Sequence, residues 1–346
     1  MKQFMLKIIC FLSPVIALQF YAYFFYSYSE NPDLLRIGFI PSFYKGFKKN
    51  LKEEYIKDIY FTNLSKTKKR KFKILTIGDS FSEQKNYGYK NYLAEKFDVL
   101  HVDRFISQNQ IQTLCGMLNS DFFDTYQIDY VVLENVERSF VENIKYIDTS
   151  AILSFKQIDS IVKNYKSKSQ NYQLNLYSNS ALKLLYTSIQ SLVESDFLAN
   201  DEVYNAKINT TDLFSNNTNN LLFYHDDLKS VVVNNERGNV LKLNNLLNGI
   251  CEKLRRKKIK LIVLPAPDKY DLYYDFIINK SKFSKPFFFE NLEPLQKDYI
   301  YINAKSVLSK SINKFKDVYF YDDSHWSPIA SKILAAEIEK QVKISD

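Results

Sequence analysis

Five short apolar runs alternate with helical patterns along this chain, and that alternation is the tightest constraint on its fold. FKILTI at 72–77, DVLHV at 98–102, DYVVLENV at 129–136, KIKLIVLPA at 258–266 and YIYINA from Tyr299 are β-branched or aromatic and end abruptly. Such runs suit strands covered on both faces of a parallel sheet. Tyr89–Phe97, Val240–Arg256 and Ser327–Val342 carry apolar residues at three-and-four spacing, as helices lying on a sheet do. An α/β fold with a parallel sheet follows. Between Ser139 and Glu236 the alternation lapses: Ile152–Leu198 is mostly helical in pattern and Asn216–Asn220 is a polar loop. This stretch, about 140–236, reads as an insertion capping the carboxyl edge of the sheet.

The amino terminus sets a second constraint. Lys2 and Lys7 precede the uncharged run Ile8–Tyr28, which is long enough to cross a bilayer as a helix. With lysines leading and Glu30 and Asp33 trailing, the orientation sends the rest of the chain to the extracytoplasmic, periplasmic side. A cleaved signal peptide is the other reading, although no small-x-small site follows the run. The expected division is a membrane anchor at 1–30, a polar Lys- and Tyr-rich stalk at 31–70 and a folded domain at 71–346. The basic run KTKKRKFK at 66–73 suits a linker near anionic headgroups. The 47 basic residues are interspersed with 39 acidic ones and no nucleic-acid reader motif is present, so no nucleic-acid partner is expected. Cys10 falls in the membrane run, while Cys115 and Cys251 either pair or are small buried hydrophobes. No Cys/His spacing calls for a metal.

Two constellations carry chemistry. Thr76-Ile77-Gly78-Asp79-Ser80-Phe81-Ser82 follows the first strand, which brings Ser80 out at the carboxyl edge of the sheet, where ligands bind in such folds. Gly78 is suited to a tight turn there, and Ser80 to the start of a helix whose amides face a developing oxyanion. The capping reading, an Asp-Ser turn without chemistry, stands beside it. The second constellation, Tyr321-Asp322-Asp323-Ser324-His325-Trp326-Ser327-Pro328, precedes the last helix. A histidine activates a serine when a carboxylate fixes its ring, and Asp322 and Asp323 lie three and two positions upstream. Here too a cap by Asp323 or Ser324, with Pro328 in the first turn, is compatible. His101 reads as a core or edge histidine. His225 belongs to the insertion.

A Gly-Asp-Ser after the first strand and an Asp-Asp-x-His before the last helix resemble the SGNH/GDSL hydrolase superfamily, over about Lys71–Asp346. The resemblance implies a flavodoxin-like three-layer α/β/α sandwich, with Ser80 as nucleophile, His325 as base and Gly78 and Asp79 beside the nucleophile. Asn135 stands where the superfamily's oxyanion asparagine would be, without its usual preceding glycine, and the loop Val102–Gln110 contains no glycine for the second oxyanion donor. Asp323-Ser324-His325-Trp326, Glu137-Arg138-Ser139 and Pro267-Asp268-Lys269 with Tyr273 are similar to strings in the SGNH-like domains of alginate-type polysaccharide O-acetyltransferases. In those domains the histidine and Pro-Asp-Lys strings precede the serine, so this chain looks like a permuted relative. Superfamily spacing selects Asp322 as the third triad member, and the acetyltransferase spacing selects Asp323. Arg138 is either a salt-bridge partner of Glu137 or Glu134 or a cation near the acyl oxygen; Asp268 and Lys269 either shape the cleft or begin a helix.

The implied function is a membrane-anchored serine esterase or O-acetyltransferase acting on a cell-surface or exported polysaccharide, partnered by a membrane-bound acyl-donor transferase and needing no cofactor. The alternative is a non-catalytic SGNH-like protein for assembly or glycan binding.

Overall fold

The computed structural model describes residues 1–25, 32–40, 58–107, 109–168, 180–193, 197–199 and 201–345. Its strands are β1 (Thr62–Asn63), β2 (Lys71–Ile77), β3 (Val99–His101), β4 (Gln127–Val136), β5 (Phe197–Ala199), β6 (Val203–Lys207), β7 (Asn220–Tyr224), β8 (Lys260–Ala266) and β9 (Ile300–Tyr301). Six of them form one sheet in the order β1-β3-β2-β4-β8-β9, and every neighbouring pair is parallel. Apart from the short edge strand β1, the chain order across this sheet is 2-1-3-4-5. That is the flavodoxin-like doubly wound order, whose crevice opens between the first and third strands, here β2 and β4.

Alternation along the central strands gives the sheet two apolar faces. Ile74, Val132, Ile262 and Leu264 pack with Leu334 and Ile338 of the Pro328–Ser345 helix and Leu308 of the Ala304–Ile312 helix. Leu75, Leu133, Leu261 and Val263 pack with Leu114 of the Gln110–Leu118 helix and Leu243, Leu247 and Leu254 of the Arg237–Arg256 helix. The result is the expected three-layer sandwich.

Two features differ from the expectation. The insertion holds the helices Phe155–Lys168 and Ser180–Val193, but also an antiparallel sheet, β5-β6-β7, whose Val203, Leu222 and Phe223 join the core on the Ile74 face. Residues 169–179, 194–196 and 200 of that insertion lie outside the described residues. Of the segment read as a stalk, residues 31 and 41–57 also lie outside them, yet Asp33–Ile37 is helical and packed: Leu34, Leu35 and Ile40 are buried in the core. The amino-terminal run is helical over Lys2–Phe25 with Pro14 inside, and its stretch Lys2–Tyr21 has a mean hydropathy of 1.8; residues 26–28 are outside the described set. Cys115 and Cys251 are both free and buried, so the small-hydrophobe reading holds.

The turn after β2 explains Gly78. No glycine among the described residues has positive φ, so Gly78 is there for space and not for backbone angles. A Cβ at this position would run into the Ser82 hydroxyl and lie 2.5 Å from Glu134 Oε2. Gly78→Ala is therefore expected to lower stability by at least about 2 kcal/mol through overpacking, read as a fall in the urea midpoint at unchanged slope.

Candidate active site

The residues after β2 form turns, not the expected helix start. Ser82 N donates to Asp79 O at 3.1 Å and Glu83 N to Ser80 O at 3.3 Å, and the first α-helix on this path, Tyr89–Ala94, follows a short 3-10 turn at Lys85–Tyr87. The turns are held from below by two carboxyls. Asp79 accepts from Phe81 N at 2.9 Å and from Val136 N, at the end of β4, at 2.7 Å. Glu134 Oε2 accepts from Asp79 N at 3.1 Å and from Ser82 Oγ at 2.7 Å, and Ser82 Oγ in turn meets Tyr89 Oη at 2.9 Å. Burial, and then the charge of Asp79, pushes the Glu134 carboxyl well above the usual range. Ser80 itself is half-buried, and its hydroxyl makes no hydrogen bond among the described residues.

His325 comes from the opposite end of the chain. The stretch from Val318 to Ser327 folds back on itself, with Phe320 N donating to His325 O at 3.2 Å and Ser327 N to Val318 O at 2.9 Å. Asp323 Oδ1 lies 2.5 Å from His325 Nδ1 and accepts from His325 N at 3.1 Å. Asp323, the choice of the acetyltransferase spacing, is thus the carboxylate on the ring. Asp322 is buried beside it and makes no bond to the imidazole. Neither Asp323 nor Ser324 caps the last helix; Ser327 does so, accepting from Ile329 N at 3.1 Å. His325 Nε2 is buried and has no partner among the described residues.

The serine and histidine segments meet. Phe81, next to Ser80, has its ring centroid 4.6 Å from that of His325 and 5.0 Å from that of Trp326. Gln84 Nε2 donates to Trp326 O at 2.8 Å and Gln84 Oε1 accepts from Ser331 Oγ at 3.1 Å. Two unpaired polar groups, the Ser80 hydroxyl and His325 Nε2, thus lie on segments locked together by one ring and one amide.

Sequence reasoning missed Asp33. Its carboxylate accepts from Ser324 N at 2.6 Å and from Ser324 Oγ, and it lies 3.3 Å from His325 Nδ1. Its own N–H donates to Asp323 Oδ2 at 3.3 Å. Nothing in the Asn31–Arg70 pattern signals this role; the only clue is Asp33 standing before the apolar pair Leu34-Leu35. Burial alone would push the His325 imidazole down, but the charge and hydrogen bond of Asp323, joined by Asp33, outweigh it and raise the ring to about 9. Asp33, Asp323 and His325 offer donor atoms within 4.8 Å of one another, and the hydrogen bonds just described already use those atoms.

The remaining sequence-derived residues fall into three places. Arg138 pairs with neither Glu137 nor Glu134, as the structural reading had it, but with Asp268 at 2.7 Å and Asp227 at 3.0 Å. Its guanidinium also lies 5.9 Å from the Phe81 ring centre. Asp268 N donates to Glu137 Oε2 at 3.0 Å, so Asp268 fixes the floor behind Phe81. Lys269 is wholly buried, and its ammonium donates to Tyr321 O at 2.6 Å and Asp323 O at 3.3 Å. Burial lowers it to about 8 against the pull of Asp322, Asp33 and Asp323. It pins the loop that carries His325. Asn135 is buried with its amide committed to Gln110 Oε1 at 2.5 Å and its carbonyl to Ser139 Oγ at 3.1 Å. Gly116 is inside the Gln110–Leu118 helix. His101 is a satisfied core histidine bonded to Thr76 and Glu83, and His225 stacks on Tyr204.

Residues 219–345 match the family model of the SGNH hydrolase-like domain of the acetyltransferase AlgX. The match bears out the resemblance read from the strings at 267–269 and 323–326, and it spans Asp227, Asp268, Lys269, Asp323 and His325 but not Ser80. No curated protein and no solved structure matches the chain.

The two carboxylates on one imidazole generate a prediction. In the full chain the His325 ring protons are expected to titrate in NMR near pH 9. Asp33→Asn removes one negative charge and moves the midpoint down, and Asp323→Asn, which also loses the hydrogen bond, moves it further.

Proposed function

We propose that this chain is a membrane-anchored, extracytoplasmic acyl-transfer enzyme that adds or removes O-acetyl groups on a cell-surface or exported polysaccharide through an acyl-Ser80 intermediate. The observation that carries the reading is the Asp323–His325 pair, whose Nε2 is left unpartnered beside the ring that follows Ser80. In this reading His325 Nε2 takes the proton of Ser80 Oγ as the oxygen attacks the ester carbonyl. The alcohol leaves with that proton, and an acyl-serine remains. Water or a sugar hydroxyl then attacks the acyl carbon, giving its proton to Nε2, and Nε2 returns that proton to Ser80 Oγ as the acyl–oxygen bond breaks. Asp323 holds the ring and balances the imidazolium. Arg138, anchored by Asp227 and Asp268, supplies positive charge next to the Ser80 turn. The AlgX match favours acetyl transfer within this chemistry. The apolar helix Lys2–Phe25 supports anchoring, with a membrane-bound acyl donor as partner.

One observation favours the second reading, a non-catalytic SGNH-like protein for assembly or glycan binding: the Asn135 amide, expected in the oxyanion hole, is turned to Gln110.

The test uses the full chain in detergent, because Asp33 belongs to the site. Release of acetate from a chromogenic acetyl ester is compared for the native chain, Ser80→Ala and His325→Ala, with and without oligosaccharide acceptors. A loss of about 10³-fold or more is expected for either variant, and acceptor dependence separates transferase from esterase. Because the base must be neutral, kcat/KM should climb with pH towards about 9, and Asp33→Asn should move that limb to lower pH. Equal rates for the native chain and Ser80→Ala would leave the binding reading.

A further inference from the structure

The helix Ser180–Val193 turns a stripe of Leu182, Tyr186, Ile189 and Val193 outward. Spacings of four, three and four place them on one face, and their exposures run from 54% at Ile189 to 78% at Val193. The opposite face is packed. Leu184 is fully buried against Leu18, Tyr21 and Phe39, the Tyr21 and Ser188 hydroxyls meet at 3.2 Å, and Thr187 Oγ1 donates to Gly38 O at 3.3 Å.

Those contacts fix the height of the helix. Leu18 and Tyr21 lie in the trailing half of the uncharged run Ile8–Tyr28, so Ser180–Val193 stands beside the trailing part of the amino-terminal helix. Tyr21 is one turn on from Leu18, and its partner Ser188 is one turn on from Leu184, so the two helices run side by side at that level. The cation on this helix, Lys183, has its ammonium 5.0 Å from the Phe39 ring centre, away from the stripe. Four large apolar side chains held in water carry a hydration cost in proportion to their exposed area. Lipid at this height removes that cost.

We infer that Ser180–Val193 is a lipid-facing element whose stripe beds in the interfacial layer of the membrane, beside the trailing end of Lys2–Phe25. The inference rests on the anchoring reading of the amino-terminal helix. It gives the body a second membrane contact, and the same helix touches the chain on both sides of Asp33, at Tyr21 and at Gly38. The body's tilt over the lipid surface is then fixed by two elements instead of one.

The full chain is reconstituted into phosphatidylcholine and phosphatidylglycerol vesicles with and without lipids brominated in the acyl chains. Trp326 is fully buried and supplies a constant background. Tyr186→Trp and Ile189→Trp report on the stripe, Phe11→Trp on the amino-terminal helix, and Tyr146→Trp, at a site 71% exposed on the other side of the main sheet, on the aqueous surface. Brominated lipid is expected to quench the two stripe reporters at least about twofold more than Tyr146→Trp. Quenching of Phe11→Trp with the stripe reporters unquenched would overturn the inference while anchoring stands, and would leave the stripe to a protein partner. If Phe11→Trp and the stripe reporters are all unquenched, both readings fall. Quenching of the stripe reporters together with Phe11→Trp supports the inference, and quenched stripe reporters with Phe11→Trp unquenched would overturn it, because the stripe is placed at the membrane by the anchored helix.

Discussion

Asp79 is the tie on which the carboxyl edge of the sheet depends. Two parallel strands that diverge at a switch point leave their last backbone groups without ladder partners, and buried amides need acceptors. One carboxylate answers both: Phe81 N on the β2 side and Val136 N on the β4 side. Hydrogen bonds to a charged acceptor contribute about 1.5–3 kcal/mol each, so this single group does much to fix how the Ser80 turn sits over the crevice. Glu134 completes the tie from beneath, accepting from Asp79 N and Ser82 Oγ, and burial beside Asp79 raises its hold on a proton. A second full negative charge against Asp79 would work against the bonds that hold the turn.

The layers were legible because each depends on local pattern. A run such as KILTI or LIVLPA needs cover on both faces wherever it lies, and helices with three-and-four spacing supply it, so the sandwich follows from neighbours in sequence. The strings around Ser80 and His325 stood out for a related reason: each is short and has its own turn chemistry, and the structure brings the two segments together through Phe81 and Gln84. What escaped was set by long-range pairing. Asp33 reaches Ser324 across 291 positions, and Arg138 chose Asp227 and Asp268, 89 and 130 residues away, over the glutamate next to it. The small sheet β5-β6-β7 was hidden because Asn-rich flanks masked three short strands. Gly78 was identified as necessary for the wrong reason: its conformation is ordinary, and the space it leaves for Ser82 is what the fold requires.

The buried charges around His325 are arranged with a direction. Lys269 places a cation under the loop but spends it on the carbonyls of Tyr321 and Asp323, so the carboxylates of Asp33 and Asp323 remain turned to the imidazole. Arg138 is treated differently. It is held by two carboxyls and lies against the Phe81 ring, so its charge is met on the serine side and not at the imidazole. Negative charge beside the imidazole favours its protonated form.

Asp33 adds a coupling that neither motif contains. The residues flanking it, Leu34 and Leu35, are buried in the main core, while Phe39, four residues on from Leu35, packs with the amino-terminal helix through Leu184. The same short segment therefore bonds the histidine loop at one end and meets the apolar helix system at the other. A shift of the amino-terminal helix relative to the body would strain either the Asp33–Ser324 bonds or the burial of Leu34 and Leu35, and an unpaired carboxylate at that depth is costly. The position of the body on its helix and the orientation of His325 are in this way parts of one mechanical unit, and a domain cut from the chain at Lys71 would carry the Ser80 and His325 strings while losing one of the two carboxylates that hold the histidine.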